Sequence, residues 1–458
     1  MWEEESFKPI SQLANLQINK EILRLAIPSI LANITIPLVG MVDTAIAGHI
    51  ADAAAIGGIA IAGVLFSLLY WTFGFLRVGT SGLTAQAFGR AEDTTPVLFR
   101  SIRTALYGAA GILLLQYPIY LLIPLCFPSS DAVIYYARLY FLIRVWAAPA
   151  TLILMATKGW FIGNQDTVSP MATDILVNLV NIAASYLLAV TFGLGVIGVA
   201  WGTIVAQYSG LVFVIWVLVR VKRVRVFERP WLAAARVGKP LGTAGLEKTA
   251  YERKKSTKLN ANLFIRSLCF IVIYVAYTNL ATRYGETELA VSAILMHLLM
   301  FFSYFIDGFA YAAEALVGRA VGKNEQPDRE VRSLLEYSLV VGAIFALIYG
   351  VFGTELCGLF TSSDEVVATA DRYRFWLGLF PLISAVAFLW DGVYAGLTAG
   401  AAIRNTMLVA VAAFGLTYVA CYRWADGANA IYAAYMAHIL ARAVVMSVTY
   451  PRMNKKAV

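Results

Sequence analysis

Apolar residues collect in twelve stretches along the chain, at about 25–48, 55–83, 103–125, 135–157, 170–190, 196–219, 262–282, 289–317, 334–356, 374–395, 406–422 and 430–450. Polar and charged residues collect between them. At about 1.5 Å per residue, roughly twenty helical residues cross a hydrocarbon core of about 30 Å. Lipid offers the backbone no hydrogen-bond partner, so each stretch is read as a helix. Pro28, Pro37, Pro118, Pro149 and Pro381 fall inside stretches and predict kinks.

One interval breaks the rhythm. Residues 220–258 hold twelve Lys or Arg against three acids. A connector this basic is expected on the cytoplasmic side. Six stretches precede it and six follow, which puts both termini on the same side. The short loops then assigned inside carry Arg90, Arg100, Arg103, Lys158, Arg319, Lys323, Arg329, Arg332 and Arg404. Those assigned outside carry Arg283, Arg372, Arg374 and Arg423, so the count is nine against four.

The halves also repeat. GFLRVGTSGLTAQAFGRAE (74–92) lines up with DGFAYAAEALVGRAVGKNE (307–325), with Gly89 on Gly322 and 322 − 89 = 233. The same offset places KGWFIG (158–163) on DGVYAG (391–396), since 396 − 163 = 233, and Tyr140 on Tyr373, since 373 − 140 = 233. An even number of helices per repeat starts both on one side, with the symmetry axis along the membrane normal. The expected fold is an all-α polytopic membrane protein, twelve transmembrane helices in two pseudo-symmetric six-helix lobes. Its parts are an N-terminal lobe (1–219), the basic connector (220–258) and a C-terminal lobe (259–458). This is transporter architecture.

Composition agrees. Charged residues make up 14% of 458, against roughly 25% in soluble domains. The net charge of +8 does not point to nucleic acid, because the basic residues lie in loops. Cys126, Cys269, Cys357 and Cys421 are far apart and give neither a metal spacing nor a disulfide framework. The acidic start MWEEESFK lacks the basic region of a cleaved signal, so the first helix is expected to direct its own insertion.

Candidate chemistry lies in the polar residues at membrane depth. Asp43, in LVGMVDTAIAGHI (38–50), is the carboxylate of the first stretch; Arg24 and Asp52 are the nearest charges around it. A carboxylate there costs about 2.5–3.5 kcal/mol and calls for a wet cavity, a partner or neutralisation. The bland alternative is an acid near a helix end reaching interfacial water. In the fifth stretch Asp174, Asn178, Asn181 and Ser185 are spaced 4, 3 and 4, one polar stripe on an apolar helix. Asn33, Gly40, Asp43 and Ala47 share a face of the first helix. If the two faces meet, they border a cavity in the N-terminal lobe; otherwise the amides and hydroxyls only link packed helices. Arg77, Arg144, His297, Asp307, Glu314 and Asp391 are further intramembrane or near-membrane candidates. The acids could instead lie at cytoplasmic helix ends, and His297 could be a packing residue.

At these residues the chain resembles the multidrug and toxin extrusion (MATE) transporters, most of all their DinF-like branch. The resemblance runs from LAIPSI (25–30) to the last helix. It is carried by MVDTAIAGHI (41–50), by GFLRVGTSGLTAQAFGR with Arg77, and by GNQDTVSPM (163–171). NANLFIRSLC (260–269), YFIDGFAYAAEALVG (304–318) and FLWDGVYAG (388–396) carry it in the second half. It implies two six-helix lobes forming a V, and export of amphipathic, often cationic compounds in exchange for protons or sodium ions. It implies a coupling site in the N-terminal lobe whose positions fall on Asp43, Asn181, Ser185 and Thr203; Asn178, from the polar stripe, is read with Asp43, Asn181 and Thr203 as ion-coupling. Ser185 stands where the branch has a second acid, which makes proton coupling through Asp43 simpler than a sodium site near it. His297 stands where Gln is expected. Ser185, Arg77, His297, Glu314 and Asp391 are read as substrate or gating residues.

The resemblance further implies a monomer in the bacterial cytoplasmic membrane, with small-molecule cargo and no cofactor beyond the coupling ion. The rival in the same superfamily is a flippase for a lipid-linked precursor. Twelve segments and few intramembrane arginines weigh against it. An intramembrane enzyme lacks DDxxD, HExxH or a nucleophile–His pair here, and a channel lacks a filter motif.

Overall fold

The computed structural model describes residues 16–35, 53–224, 243–425 and 427–457. Asp43, Gly40, Ala47 and Pro37 lie outside the described residues, as does most of the basic connector. The described part of the first helix, α1, is 16–35. Among the described residues eleven further helices are long and apolar enough to cross a membrane. In the N-terminal half they are α2 (Ala54–Gly89), α3 (Thr95–Leu114), α4 (Asp131–Gly163), α5 (Val168–Thr191) and α6 (Gly195–Val221). In the C-terminal half they are α7 (Ala250–Tyr284), α8 (Glu286–Gly322), α9 (Asp328–Gly358), α10 (Arg374–Gly396), α11 (Gly400–Cys421) and α12 (Asn429–Lys455). Helix begins at Thr243, ahead of the α7 span, so the end of the basic stretch is already part of that helix. The third apolar stretch, expected as one helix, is two: α3 ends at Leu114 and a short helix, Gln116–Cys126, follows.

Prolines set several of these breaks. Pro118 cannot donate to the carbonyl four residues back, Leu114, which is where α3 stops. Pro149 likewise cannot donate to the carbonyl of Val145, which accepts instead from the Ala148 amide three residues on, and α4 passes through a 3-10 turn at Val145–Ala147. α2 is interrupted at Phe73 and Gly74, whose amides donate to Tyr70 and Trp71, three residues back. Pro381 is accommodated within α10 without a break.

The internal repeat is visible as physical contact. A Cβ on Gly89 would lie 2.9 Å from Gly322 Cα, and a Cβ on Gly322 would lie 2.9 Å from Gly89 Cα. Equivalent positions touching each other are what a two-fold axis requires. Matching contacts recur off the axis at the same offset. Gly159 abuts the carbonyl of Arg77 and Gly392 that of Ala310, each too closely to leave room for a Cβ, with 392 − 159 = 310 − 77 = 233. A Cβ on Gly163 would meet Ser81 O at 2.6 Å and one on Gly396 would meet Glu314 O at 3.0 Å, again with 314 − 81 = 233. The axis therefore runs between α2 and α8.

Each lobe has its own apolar core. That of the N-terminal lobe lies around Phe66, Tyr140, Phe141 and Leu152. That of the C-terminal lobe lies around Phe302, Phe380, Tyr432 and Ile439. Another core straddles the axis, joining Ile22 and Leu25 of α1 and Val78 of α2 to Leu316 of α8 and Trp390 of α10. Outside, large apolar side chains such as Leu114, Leu347, Leu416 and Val448 are exposed, the surface a bilayer would cover.

Polar links tie the lobes together towards the end of α2 and α8 that bears the basic loops. Arg319 of α8 reaches Glu21 of α1 at 2.5 Å and Gln165 in the α4–α5 loop at 3.0 Å. Gln86 of α2 donates to the Gly396 carbonyl at 3.0 Å. Arg319→Ala removes two of these links while leaving both lobe cores intact. Its expected effect is faster labelling of a cysteine placed at this end, by about tenfold if roughly 1.4 kcal/mol of closure is lost; an unchanged labelling rate would show that Arg319 does not hold it shut.

The loop between α4 and α5 is held by Asp166. Its carboxylate accepts from the Ser169 amide (2.9 Å), the Ser169 hydroxyl (2.7 Å) and Lys222 Nζ (2.6 Å). Burial pushes this carboxyl up, but the hydrogen bonds from Lys222 and Ser169 outweigh it and hold it below the ordinary 3.8. A lowered folded pKa means the contribution is present above pH 3.8 and fades as pH falls through the lower folded value. Asp166→Asn is expected to remove that acid-range slope from the unfolding midpoint.

Candidate functional site

The polar stripe of α5 shares one face, and each member meets a different neighbour. Asp174 accepts from Lys158 Nζ of α4 at 2.7 Å. Asn178 donates to Thr35 Oγ1 of α1 at 2.5 Å. Asn181 donates to Thr203 Oγ1 of α6 at 3.2 Å. Ser185 is fully buried at a close approach of α5 and α6, where a Cβ on Gly202 would collide with its Oγ. Among the described residues Asn181 Oδ1 and Ser185 Oγ have no hydrogen-bond partner. The first helix thus does meet the stripe, through Thr35. Asn33, on the same helix, turns to the other lobe and donates to the Tyr304 carbonyl at 3.3 Å. Asp43 itself lies outside the described residues.

A second constellation occupies the axis and the C-terminal lobe. Arg77 Nη1 lies 3.0 Å from each oxygen of Glu314, and its guanidinium sits over the Tyr311 ring at 4.2 Å. Glu314 is 2% exposed. This pair joins α2 to α8 across the lobes. Asp391 Oδ2 accepts from Arg266 of α7 at 2.7 Å and from Arg442 of α12 at 2.5 Å. Arg442 is fully buried, with Phe270 and Phe388 rings 4.7 and 5.3 Å from its guanidinium. Buried His438, one turn earlier on α12, packs its ring against Tyr435 at 4.5 Å.

A cavity of about 280 Å³ lies between the lobes, with Tyr70, Trp71 and Arg77 on one side and Arg266, Phe270 and Arg442 on the other. Trp71 and Tyr274 meet edge to face across it at 5.3 Å.

Of the deep acids, Asp174, Glu314 and Asp391 are all ion-paired. Asp307 has no ion pair among the described residues. His297 is exposed, with Nδ1 2.7 Å from the Ala293 carbonyl of its own helix, and the fold brings it to neither constellation. Arg144 stays in its own lobe, donating to Tyr140 Oη at 3.2 Å and lying over the Phe66 ring. Sequence reasoning passed over Arg266, Arg442 and His438, and read Lys158 only as a loop charge. The two arginines were findable, since each is a lone cation inside an apolar stretch. With Arg77 they give the cavity three arginines, more than the sparse intramembrane Arg expected from sequence.

Comparison with known proteins locates the fold. A family model described as MatE matches residues 28–187 and 263–422, once in each half. DNA damage-inducible protein F of Escherichia coli (strain K12) is 33% identical over 403 residues, covering 87% of this chain and 85% of that protein. Protein DETOXIFICATION 44, chloroplastic, of Arabidopsis thaliana is 25% identical, covering 87% and 78%. A MATE crystallised in the bent conformation superposes with a TM-score of 0.83 at 17% identity, covering 97% of this chain and 98% of that one. The Vibrio cholerae MATE transporter VcmN in the bent form gives 0.82 at 15%, covering 97% and 99%.

Proposed function

The chain belongs to the MatE family and is a membrane transporter rather than an enzyme, and we propose that it is a proton-driven antiporter exporting amphipathic compounds, cations among them, with Asp43 as the coupling acid. The observation that carries this reading is the stripe on α5. Its amides bind α1 through Thr35 and α6 through Thr203, and two buried oxygens are left without donors among the described residues. Unfilled acceptors at membrane depth are a place for a cation, a water or the O–H of a protonated carboxylic acid. Asp43 lies on the chain eight residues beyond Thr35 (43 − 35 = 8).

The residues fit a proton better than sodium. Asn178 and Asn181 each spend their donor on a hydroxyl, and position 185 offers a serine Oγ rather than a second carboxylate. A sodium ion there would have one formal negative charge, that of Asp43, to balance it.

In this mechanism, with the basic end closed, Asp43 takes a proton from the far side and loses its charge. The uncharged acid lets α1 repack and release cargo. Proton loss on the cytoplasmic side then restores the binding form. Antiport needs only that proton and cargo favour different states. Arg77–Glu314 holds α2 to α8 during closure. We place the protein in the bacterial cytoplasmic membrane as a monomer, both termini inside, with no cofactor beyond the coupling ion.

Linkage makes this testable without transport. If cargo and proton compete, adding a binding dye to detergent-purified protein in weak buffer releases protons. Asp43→Asn is expected to fold, bind dye and release none. Equal release from wild type and Asp43→Asn would sink the assignment; if release is lost instead in Asp307→Asn, the coupling acid is in the C-terminal lobe.

A further inference from the structure

Buried hydrogen-bond donors without acceptors are rare and demand an explanation. Among the described residues the wall of the central cavity has three on its arginines, Arg442 Nε, Arg442 Nη1 and Arg266 Nε, beside the hydroxyl of Tyr70. Neither guanidinium is satisfied by Asp391. Both bind the same oxygen, Oδ2, and the other oxygen, Oδ1, has no partner among the described residues. Two positive charges therefore share one negative charge at this spot. The other nearby acids do not take up the free donors. Glu314 has both oxygens on Arg77, and Asp307, though close enough to Arg266 to interact with it electrostatically, makes no ion pair with either arginine among the described residues. Around the arginines the wall is aromatic: Tyr70, Trp71, Phe270, Tyr274, Phe388 and Tyr435. A cavity with an apolar body and convergent polar groups is how small-molecule sites are built.

We propose that this cavity receives an acidic group, a carboxylate, sulfonate or phosphate monoester, on an amphipathic cargo molecule. The anion accepts from the free edge of Arg442 and from Arg266, and its apolar part lies against the rings. Guanidinium suits this task because its fixed fork of donors can serve Asp391 and a second anion at once. The inference rests on the transporter reading only in calling the ligand cargo; the binding site stands without it.

The test is equilibrium binding to purified protein in nanodiscs of zwitterionic lipid, with a dansylated long-chain carboxylic acid and its methyl ester as probes. The acid is expected to bind wild type at least about tenfold more tightly than the ester, a gap of about 1.4 kcal/mol. Arg442→Lys keeps a cation beside Asp391 but loses the fork, and is expected to abolish the gap by weakening acid binding at least about tenfold more than ester binding. If Arg442→Lys fails to fold, Arg266→Lys serves, with the same expected loss of preference. Equal binding of acid and ester by wild type, or a gap that survives both variants, would overturn the proposal and leave water as the acceptor. Displacement of the acid by phosphatidylglycerol added to the nanodisc would overturn the cargo assignment by giving the site to a lipid headgroup. Acid-selective binding without efflux would fault the transporter reading alone.

Discussion

Asp391→Ala is expected to destabilise the protein by about 3–5 kcal/mol, the range for removing one partner of a buried ion pair. Arg442 is fully buried, and its one anionic contact among the described residues is Asp391 Oδ2. Arg266 loses its carboxylate in the same step. Two guanidiniums are then left facing each other in a wall of rings. The α7, α10 and α12 helices meet through this carboxylate, so the loss is felt by the whole C-terminal lobe. Monodisperse yield in detergent and the thermal unfolding midpoint are the measurements. Asp391→Asn keeps an acceptor and is expected to lose less. The double variant Asp391→Leu/Arg442→Met removes the stranded charge and is expected to recover much of the midpoint, because an apolar replacement of a buried pair is often near neutral. A midpoint at the wild-type value in Asp391→Ala would mean that water reaches Arg442. For contrast, Glu336→Ala breaks a pair whose side chains are 83% and 64% exposed and is expected to move the midpoint little.

The second large effect is on conformation, not folding. Gly322→Val puts a Cβ into the Gln86 carbonyl oxygen and 2.9 Å from Gly89 Cα. Both obstacles are backbone on the opposite lobe, so no rotamer change clears them. The lobes must separate at that end. Each lobe's own core lies elsewhere, so the protein still folds. The expected result is loss of export by more than about tenfold, with wild-type yield and a cysteine at the basic end permanently reactive; a tenfold loss corresponds to about 1.4 kcal/mol. Gly89→Val, the equivalent position 233 residues earlier, is expected to do the same. Gly111→Ala is the control, because nothing lies within 4 Å of its added Cβ. Normal export by Gly322→Val would show that closure of α2 on α8 is not part of the cycle.

Local pattern made much of this molecule legible from the sequence. Apolar length set the helices, and Pro118 and Pro149 marked real breaks. The 233-residue offset, read from Gly89, Gly163 and Tyr140, returns as mirrored contacts, because repeats of one topology pack alike. The 4-3-4 spacing of the α5 stripe held because helical geometry alone fixes which residues share a face. What the pattern could not show was partnership across the sequence. Arg266, Asp391 and Arg442 converge from three helices, and no local rule joins them. Asp174 belongs to the stripe by spacing, yet Lys158 claims it. His297, a packing or gating candidate by sequence, is exposed and joins neither constellation, while buried His438 lines the cavity. Periodicity assigns a face; only packing says what that face meets.

The most direct test of proton coupling through Asp43 is dye efflux from proteoliposomes, under an imposed pH gradient and then under a sodium gradient at fixed pH. Each is run with wild type and Asp43→Asn. Coupling through Asp43 predicts pH-driven efflux in wild type, none in Asp43→Asn, and no sodium-driven efflux in either. Sodium-driven efflux by wild type, or undiminished pH-driven efflux by Asp43→Asn, would contradict it.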